Sequence, residues 1–442
     1  MKKTLMLMAV IASVNAYAGS IDYLAQQDSE YFAHASMTGK IGTSAAFYNP
    51  AGTVFMEDGS YFKYNVQSIM KDYTMNTDKG IISEGQNGIH NSDYPSVLVP
   101  SFQFVKKEGN RSYFVHAGVA AGGGTVKYHN GISAFEFIGQ GIQGSLRKKL
   151  QSDKIEVDYL GGSTVEGSSF YYNLNLGMAQ KLNEKFSVAG GVRLIYATRE
   201  LEGSGKFKIK NSPLGEIPVD VSIDAKREAY GVGGVIGFDY KPNDRLNIGF
   251  KYESEVKLDF EAKNKNGLNV NSSPIGNMIV VPGIKNELQN HPVIKEWIVD
   301  GHRNLPAMMS LGISYDVTDR FTLLTSGNYY FIKQANEDHV YDNYTNGYEA
   351  SIGFDYKLNE KYTLMGGYQY TNTGANEGTY KDTDYALDAH MYSIGLSYTP
   401  NETRKYTIAY SFVDYISGTS SETKTTFEKK VNAIGASVEF KL

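Results

Sequence analysis

Few residues in this chain stand where catalysis would need them. The eight His are scattered from His34 to His390 without metal-ligand spacing, and there is no Cys. No nucleophile sits in a motif with a positioned base. The chain therefore reads as a non-enzyme with no catalytic residue, no metal site and no cofactor. What it offers is cations set at period two among apolar residues. From Phe186 to Arg199, the residues Phe186, Val188, Val192, Leu194 and Tyr196 share one side, so Arg193 and Arg199 fall on the other. Lys251 sits likewise opposite Phe250 and Tyr252. A cation on that face can hold an anion, or pair with an acidic neighbour or water. A second feature is the stretch from Gly276 to Trp297, too apolar for a solvated loop. Ile284 with Leu288, and Ile294 with Ile298, have helical spacing, and Trp297 lies between the last two. Phe135 to Leu150 has the same character, with Phe137, Ile138, Ile142 and Leu146. Such segments either pack into a loop cluster or line a greasy groove.

The elements that must position these residues are strands. One unit recurs five times: a period-two strand, a short polar turn, and another period-two strand. The turns are centred on Asn183, Asn243, Thr318, Asn359 and Asn401. An aromatic or Leu follows each: Phe186, Leu246, Phe321, Tyr362 and Tyr406. Around the second turn Tyr230, Val232, Ile236, Phe238 and Tyr240 lie on one side, as do Leu246, Ile248, Phe250 and Tyr252. Between them fall Gly231, Gly233, Gly237, Asp239, Asn247, Gly249 and Lys251. Apolar sides that end in aromatics at both rims suit a wall between two bilayer interfaces. The other connections are long, about 122–168, 203–226 and 262–304, matching the outer-membrane rule of short periplasmic turns and long external loops. With three earlier strands, near Tyr61 to Tyr73, Val97 to Val105 and Tyr113 to Ala121, and a last one near Val431 to Leu442, about 14 strands are expected. The fold class is all-β: a transmembrane antiparallel β-barrel over 59–442.

Composition and the ends agree. The chain carries 34 Tyr and 46 Gly against one Trp. Its mean hydropathy is −0.36, as expected when each strand shows alternate sides to lipid and lumen. A formal net charge of −5 leaves no basic stripe for nucleic acid. Lys2 and Lys3, an apolar run from Leu5 to Val14 and Ala16-Tyr17-Ala18 before Gly19 form a secretory signal, so 1–18 is expected to be removed. That run is too short for a bilayer span, which takes roughly 20 residues. At the other end Ile434, Ala436, Val438, Phe440 and Leu442 share a face. The Gly435-x-x-Val438-x-Phe440 pattern resembles the signal read by the barrel-assembly machinery, although Ala433 stands where a polar residue is usual and two residues follow Phe440.

The segment 19–58 has no sustained period and so becomes a candidate plug, or hatch. It contains Ser36-Met37-Thr38-Gly39-Lys40 and ends in Ala45-Ala46-Phe47-Tyr48-Asn49-Pro50-Ala51-Gly52. Pro50 fixes φ and biases Asn49 away from helix, the Asn49 amide can tie nearby backbone, and Ala51 and Gly52 permit close approach. An ordinary tight turn would use the same residues. Placed after a signal peptide and before the first strand, the stretch resembles the FadL family of outer-membrane transporters for long-chain fatty acids and other hydrophobic compounds. There an N-terminal hatch with an Asn-Pro-Ala motif plugs a 14-stranded barrel. The likeness covers the layout of the mature chain and is specific in sequence around Asn49 to Gly52 and in the hairpin pattern.

The resemblance implies a bend in the third strand that opens the wall. Val115 to Ala121 runs into Gly122, Gly123 and Gly124 there, with Gly118 the best placed for the bend; alternatively these glycines begin a flexible loop. It also implies a hydrophobic ligand with Arg193, Arg199 or Lys251 for its carboxylate, and capture on the loops by Ile284, Leu288, Ile294, Trp297 and Ile298. A fatty acid of about 16 carbons carries roughly 12 kcal/mol of hydrophobic free energy at about 0.8 kcal/mol per CH₂. Release sideways into the membrane keeps that gain, whereas release into water forfeits it. The expected setting is a monomer in a Gram-negative outer membrane, in contact with lipid and lipopolysaccharide. A general diffusion porin and a surface adhesin using the external loops are the competing readings.

Overall fold

The computed structural model describes residues 28–78, 88–290, 292–339, 341–382 and 384–442. The expected signal segment and Gly19 to Gln27 lie outside them. Fourteen antiparallel strands close a barrel. They are β1 (Gly59–Thr77), β2 (Ser96–Glu108), β3 (Arg111–Tyr128), β4 (Thr164–Lys181), β5 (Phe186–Ser212), β6 (Gly215–Asn243) and β7 (Leu246–Glu253). Then follow β8 (Met308–Asp316), β9 (Phe321–Tyr330), β10 (Gly347–Lys357), β11 (Tyr362–Asn372), β12 (Ala389–Asn401), β13 (Arg404–Tyr415) and β14 (Thr425–Lys441). Each pairs with the next, and β1 meets β14 from Tyr61↔Lys441 to Thr77↔Thr425. Closure leaves no edge in a solvent that cannot hydrogen-bond a backbone.

The repeated turn has a shared chemistry. Asn183 Oδ1 accepts from the N–H groups of Lys185 and Phe186 at 2.9 and 3.0 Å. Asn243 does the same for Arg245 and Leu246, and Asn359 for Lys361 and Tyr362. Thr318 substitutes its hydroxyl in the third turn. One side-chain oxygen thus replaces the partners that the turning backbone lacks. Aromatic pairs mark both rims of the wall. Phe186 stacks on Tyr240 and Tyr362 on Tyr398 at the short-turn end; Tyr196 stacks on Tyr230 and Tyr368 packs on Tyr392 at the other. Between the rims Leu311, Ile352, Ile394 and Ile408 face outward and exposed, a band suited to lipid.

The long connections differ from the sequence reading. The expected loop at 203–226 is a continuation of β5 and β6, paired from Gly203↔Ile223 to Ser212↔Gly215. Alternation persists there: Phe207, Ile209, Ile217, Val219 and Val221 are buried while Lys206 and Asp220 face solvent, and the charges make it read as loop. In 122–168, β3 runs on to Tyr128, helix Ala134–Leu150 follows, and β4 begins at Thr164. In 262–304 three helices lie in sequence, Pro274–Ile279, Val281–Asn290 and Pro292–Ile298.

Ile394 sits at mid-height on the outward face of β12. Ile394→Lys should cost about 2–4 kcal/mol of unfolding free energy in bilayers, while Ile394→Val stays close to the parent. Denaturant titration in lipid vesicles measures both, and a lysine variant as stable as the parent would show that this face does not meet hydrocarbon.

Candidate functional site

Residues from Asp28 to Phe55 lie inside the barrel as helices Tyr31–His34 and Ala45–Tyr48 and a 3₁₀ turn, Pro50–Phe55. Small inward positions on the strands make the seat. A Cβ on Gly249 would run into the Thr38 carbonyl and the Asn49 amide, and one on Gly367 into the backbone of His34. Asn49 is the hub of this contact. Its Oδ1 accepts from Gly52 N at 3.2 Å, capping the 3₁₀ turn, and its Nδ2 donates to Asp239 Oδ2 at 2.5 Å. Asn247 Nδ2 donates to the same oxygen at 2.9 Å and to the Gly39 carbonyl at 3.0 Å. The Ala51 carbonyl accepts from Ser187 Oγ at 2.7 Å, and that of Pro50 from Thr53 Oγ1 at 2.6 Å. A Cβ on Gly52 would overlap the Asn49 side chain and come within 3.1 Å of the Asp239 carboxylate. Asn49, Pro50, Ala51 and Gly52 therefore meet at one place, against β5 to β7.

A buried ionic cluster holds the other end. Lys63 of β1 donates to Asp28 and Glu30, both at 2.9 Å. Lys40 bridges Glu30 at 2.8 Å and Asp355 at 2.7 Å, and Lys405 reaches Glu30 at 2.8 Å. Burial works against the Glu30 carboxylate, yet Lys40, Lys405 and Lys63 hold it well below the usual carboxylate range. Burial, then Lys40, pushes His34 down to about 4, so it sits neutral beside them.

The three expected lumen cations do point inward, but they form two separate groups and each is paired. Arg193 meets Glu253 at 2.9 Å, and Lys251 meets the same carboxylate at 2.8 Å and the Phe47 carbonyl at 3.0 Å. Lys251 also sits 4.2 Å from the Phe47 ring centroid, on which His116 packs. Higher up, Arg199 meets Glu296 of helix Pro292–Ile298 at 3.1 Å and lies 4.5 Å over Trp297. Arg227, missed in the sequence, shares Glu296 at 3.7 Å and faces Phe260. Burial would raise the Glu296 carboxyl, but Arg199, Arg303 and Arg227 hold it below its ordinary value. The parity of β6 points to Arg227 once that strand is known to extend past Lys226.

The expected capture residues are not an open groove. Ile284, Leu288, Ile294, Trp297 and Ile298 are all buried, packed in one core with Phe135, Ile138, Ile142 and Leu146 of helix Ala134–Leu150. Each amphipathic loop segment buries its stripe against the extended strands beneath it, helix Ala134–Leu150 on Glu156–Tyr159 and β5, and the later helices on Leu268–Ser272, on β6 and on one another. An apolar-walled cavity of about 30 Å³ remains beneath them, lined by Phe135, Ile138, Leu201, Val221 and Ile294 among others. It is too small for an acyl chain unless the helices part. Exposed apolar side chains include Ile275, Met278 and Ile279 of helix Pro274–Ile279 and Leu150 at the end of helix Ala134–Leu150.

In β3 the wall opens. Pairing with β2 runs from Glu108↔Arg111 to Phe102↔Ala117 and stops, while pairing with β4 slips at Val119/Ala121 and again at Ala121/Gly124. Gly118 is the first residue past the last β2 pair. Gly122 and Gly124 take positive φ, +100° and +70°, which side chains rarely adopt. Gly123 lies between them. Lys71 of β1 reaches across to the carbonyls of Gly123 and Thr125 at 2.9 and 2.6 Å.

Comparison with known proteins places this geometry among relatives. The family described as outer membrane protein transport protein (OMPP1/FadL/TodX) matches residues 10–441. Outer membrane protein P1 of Haemophilus influenzae is 26% identical over 285 residues, 58% of each chain. The long-chain fatty acid transport protein of Escherichia coli O6:H1 is 23% identical over 266 residues, 54% of this chain and 58% of that one. The matches thus span about three-fifths of these relatives. Among solved structures, a Pseudomonas aeruginosa FadL homologue superimposes with a TM-score of 0.67 at 15% identity, covering 94% of this chain and 98% of that one. The Pseudomonas putida toluene transporter TodX gives 0.59 at 16% identity, covering 90% and 94%. At such identities the likeness shows the fold.

Asn49→Ala removes one of the donors on a buried carboxylate, at a cost of about 1–3 kcal/mol. Gly249→Val forces a side chain into the Thr38 carbonyl. Both should loosen the hatch within an intact barrel: proteolysis between Asp28 and Asp58 accelerates and planar-bilayer current becomes noisy, while heat-modifiable gel mobility stays the same. A variant as quiet and as resistant as the parent would show that the seat does not hold the hatch.

Proposed function

This chain belongs to the outer membrane protein transport family (OMPP1/FadL/TodX), and on that premise we propose that it imports long-chain fatty acids or similar hydrophobic molecules across the outer membrane. The long-loop end faces outward and captures the molecule. The molecule enters beneath the loop helices, passes into the lumen above the hatch, and leaves sideways between β2 and β3. The observation that carries this reading is the interruption of the ladder at Gly118 beside an apolar lumen cluster that includes Ala120, Ala121, Tyr171, Ile195 and Phe260. Below it the lumen is filled by the hatch, a poor route for sugars or ions. The cations favour a carboxylate ligand over an uncharged hydrocarbon. Arg199 and Arg227 stand beside Trp297 and Phe260, so a charged head and an apolar tail would find partners within one side chain of each other.

Cells carrying the protein should take up labelled palmitate faster than deletion cells. Replacing Arg199→Met, Arg227→Met and Glu296→Gln together removes the two guanidiniums along with the carboxylate they share. Loss of a hydrogen bond to a charged group, about 1.5–3 kcal/mol, should lower palmitate uptake about tenfold or more and change toluene uptake little. Equal loss of both would remove the carboxylate assignment.

A further inference from the structure

The wall is interrupted a second time. Between β6 and β7 the ladder climbs from Asn243↔Leu246 to Val235↔Glu253 and ends at Gly234. There Gly234 N–H donates to Ser254 Oγ at 2.8 Å, and its carbonyl accepts from Ser254 N at 2.9 Å. Pairing on this edge of β6 resumes only at Glu228↔Glu261. From Ala229 to Gly233 the edge carries no ladder partner among the described residues. The chain that would have supplied one, Ser254 to Leu258, turns into the lumen instead, with Val256 and Leu258 fully buried. Glycine allows the turn: a Cβ on Gly231 would run into Val256 and Leu258, and one on Gly233 would come within 2.9 Å of Val256 Cγ2.

Outside this point lies an open groove of about 560 Å³, walled by Leu194, Tyr230 and Val232, with Glu255 and Lys257 at its rim. Tyr230 is 73% and Val232 64% exposed. Tyr230 stacks on Tyr196 at 4.8 Å and Tyr196 on Tyr172 at 6.0 Å, so the groove is level with the outer aromatic row, at the edge of the hydrocarbon. Unpaired backbone at membrane depth is costly and is tolerated where it is buried in protein or lines a water-filled cavity, and here Val256 to Leu258 cover it from the lumen side. Behind the groove Val256, Leu258 and Phe260 belong to the same apolar cluster as Ala120 and Ala121 of β3. The two interruptions are thus joined by one apolar interior.

We propose that the interruption between β6 and β7 is a second lateral port, closed at rest by Ser254 to Leu258, through which a long-chain carboxylate dissolved in the membrane enters the apolar cluster with its head at Lys257. The proposal rests on inward transport of hydrophobic molecules and adds a route that bypasses the loop helices. Val256 is the door: it fills the space over two glycines and can swing only inward, toward other apolar side chains.

Because the chain has no Cys, each engineered pair makes a single disulfide. Gly233→Cys with Val256→Cys pins the door to β6; Ser101→Cys with Gly118→Cys pins β2 to β3, where a Cβ on Gly118 would lie 3.1 Å from that of Ser101. A diazirine-bearing palmitate preloaded into the membrane should label the Tyr230 to Val232 peptide. Oxidising the first pair should cut labelling of the β3 peptide and uptake at least threefold, with recovery on reduction; Val256→Ala, which needs no disulfide, should raise both. Unchanged β3 labelling in the oxidised pair and in Val256→Ala overturns the port. If the parent takes up no palmitate yet β3 labelling falls in the oxidised first pair and rises in Val256→Ala, transport fails and the port stands. Uptake blocked only by the β2–β3 pair, with no label at Tyr230, removes the port and keeps transport.

Discussion

Hydrocarbon offers a backbone amide no hydrogen bond, and the wall of this protein is the consequence. Every strand must find its partners in its neighbours, and the ring must close, as it does between β1 and β14. Against that constraint the departures are informative because each has to be compensated. At β3 the ammonium of Lys71 takes up the carbonyls of Gly123 and Thr125. At β6 the hydroxyl of Ser254 takes up the N–H of Gly234. A polar side chain takes up carbonyls of the interrupted strand at β3 and ends the ladder at β6, and in both places the lumen behind is apolar.

Closing the ring creates a second demand, since a lumen this wide must be filled. The strands meet it with small inward residues, Gly249 and Gly367 among them, against which the hatch backbone fits closely. Fit is reinforced by charge. Lys63, Lys40 and Lys405 converge on Asp28 and Glu30, and removing one partner from such a buried group costs about 3–5 kcal/mol. Asn49 and Asp239 hold the far end by neutral-to-charged hydrogen bonds instead. The hatch is therefore tied at both ends, by ions at the β1 side and by an amide at the β5 to β7 side.

The wall was legible in the sequence because period two is a property of single strands. The outward set Tyr230, Val232, Ile236, Phe238 and Tyr240 can be written down without knowing any partner. Asn at the same place in successive turns carried the turn chemistry as well. What failed to show were properties of pairs. Gly203 to Lys226 was misread as loop because beyond the membrane the outward face is charged, so alternation no longer separates lipid from lumen. The apolar stripes of Ala134–Leu150 and Val281–Asn290 said that each helix buries a face. They could not say that each buries it against extended strands and joins one cluster, which turns an expected groove into a core. Parity likewise sent Arg193, Arg199 and Lys251 inward without revealing Glu253 and Glu296.

Those two carboxylates bear on how a carrier of greasy acids would work. A cation already paired can bind an incoming carboxylate only by exchanging one acid for another, so the gain from charge is limited to about 1.5–3 kcal/mol. Most of the affinity would then come from the tail, at about 0.8 kcal/mol per buried CH₂, while Arg199 and Arg227 over Trp297 and Phe260 would set the orientation of the head. Passage requires binding that is favourable enough to enter and weak enough to leave. An unpaired buried arginine would hold the ligand too well, and its own desolvation would have to be met in the empty protein. Glu296 bears on both problems: it pairs with the two guanidiniums in the empty protein, and it would compete for them when a ligand is present.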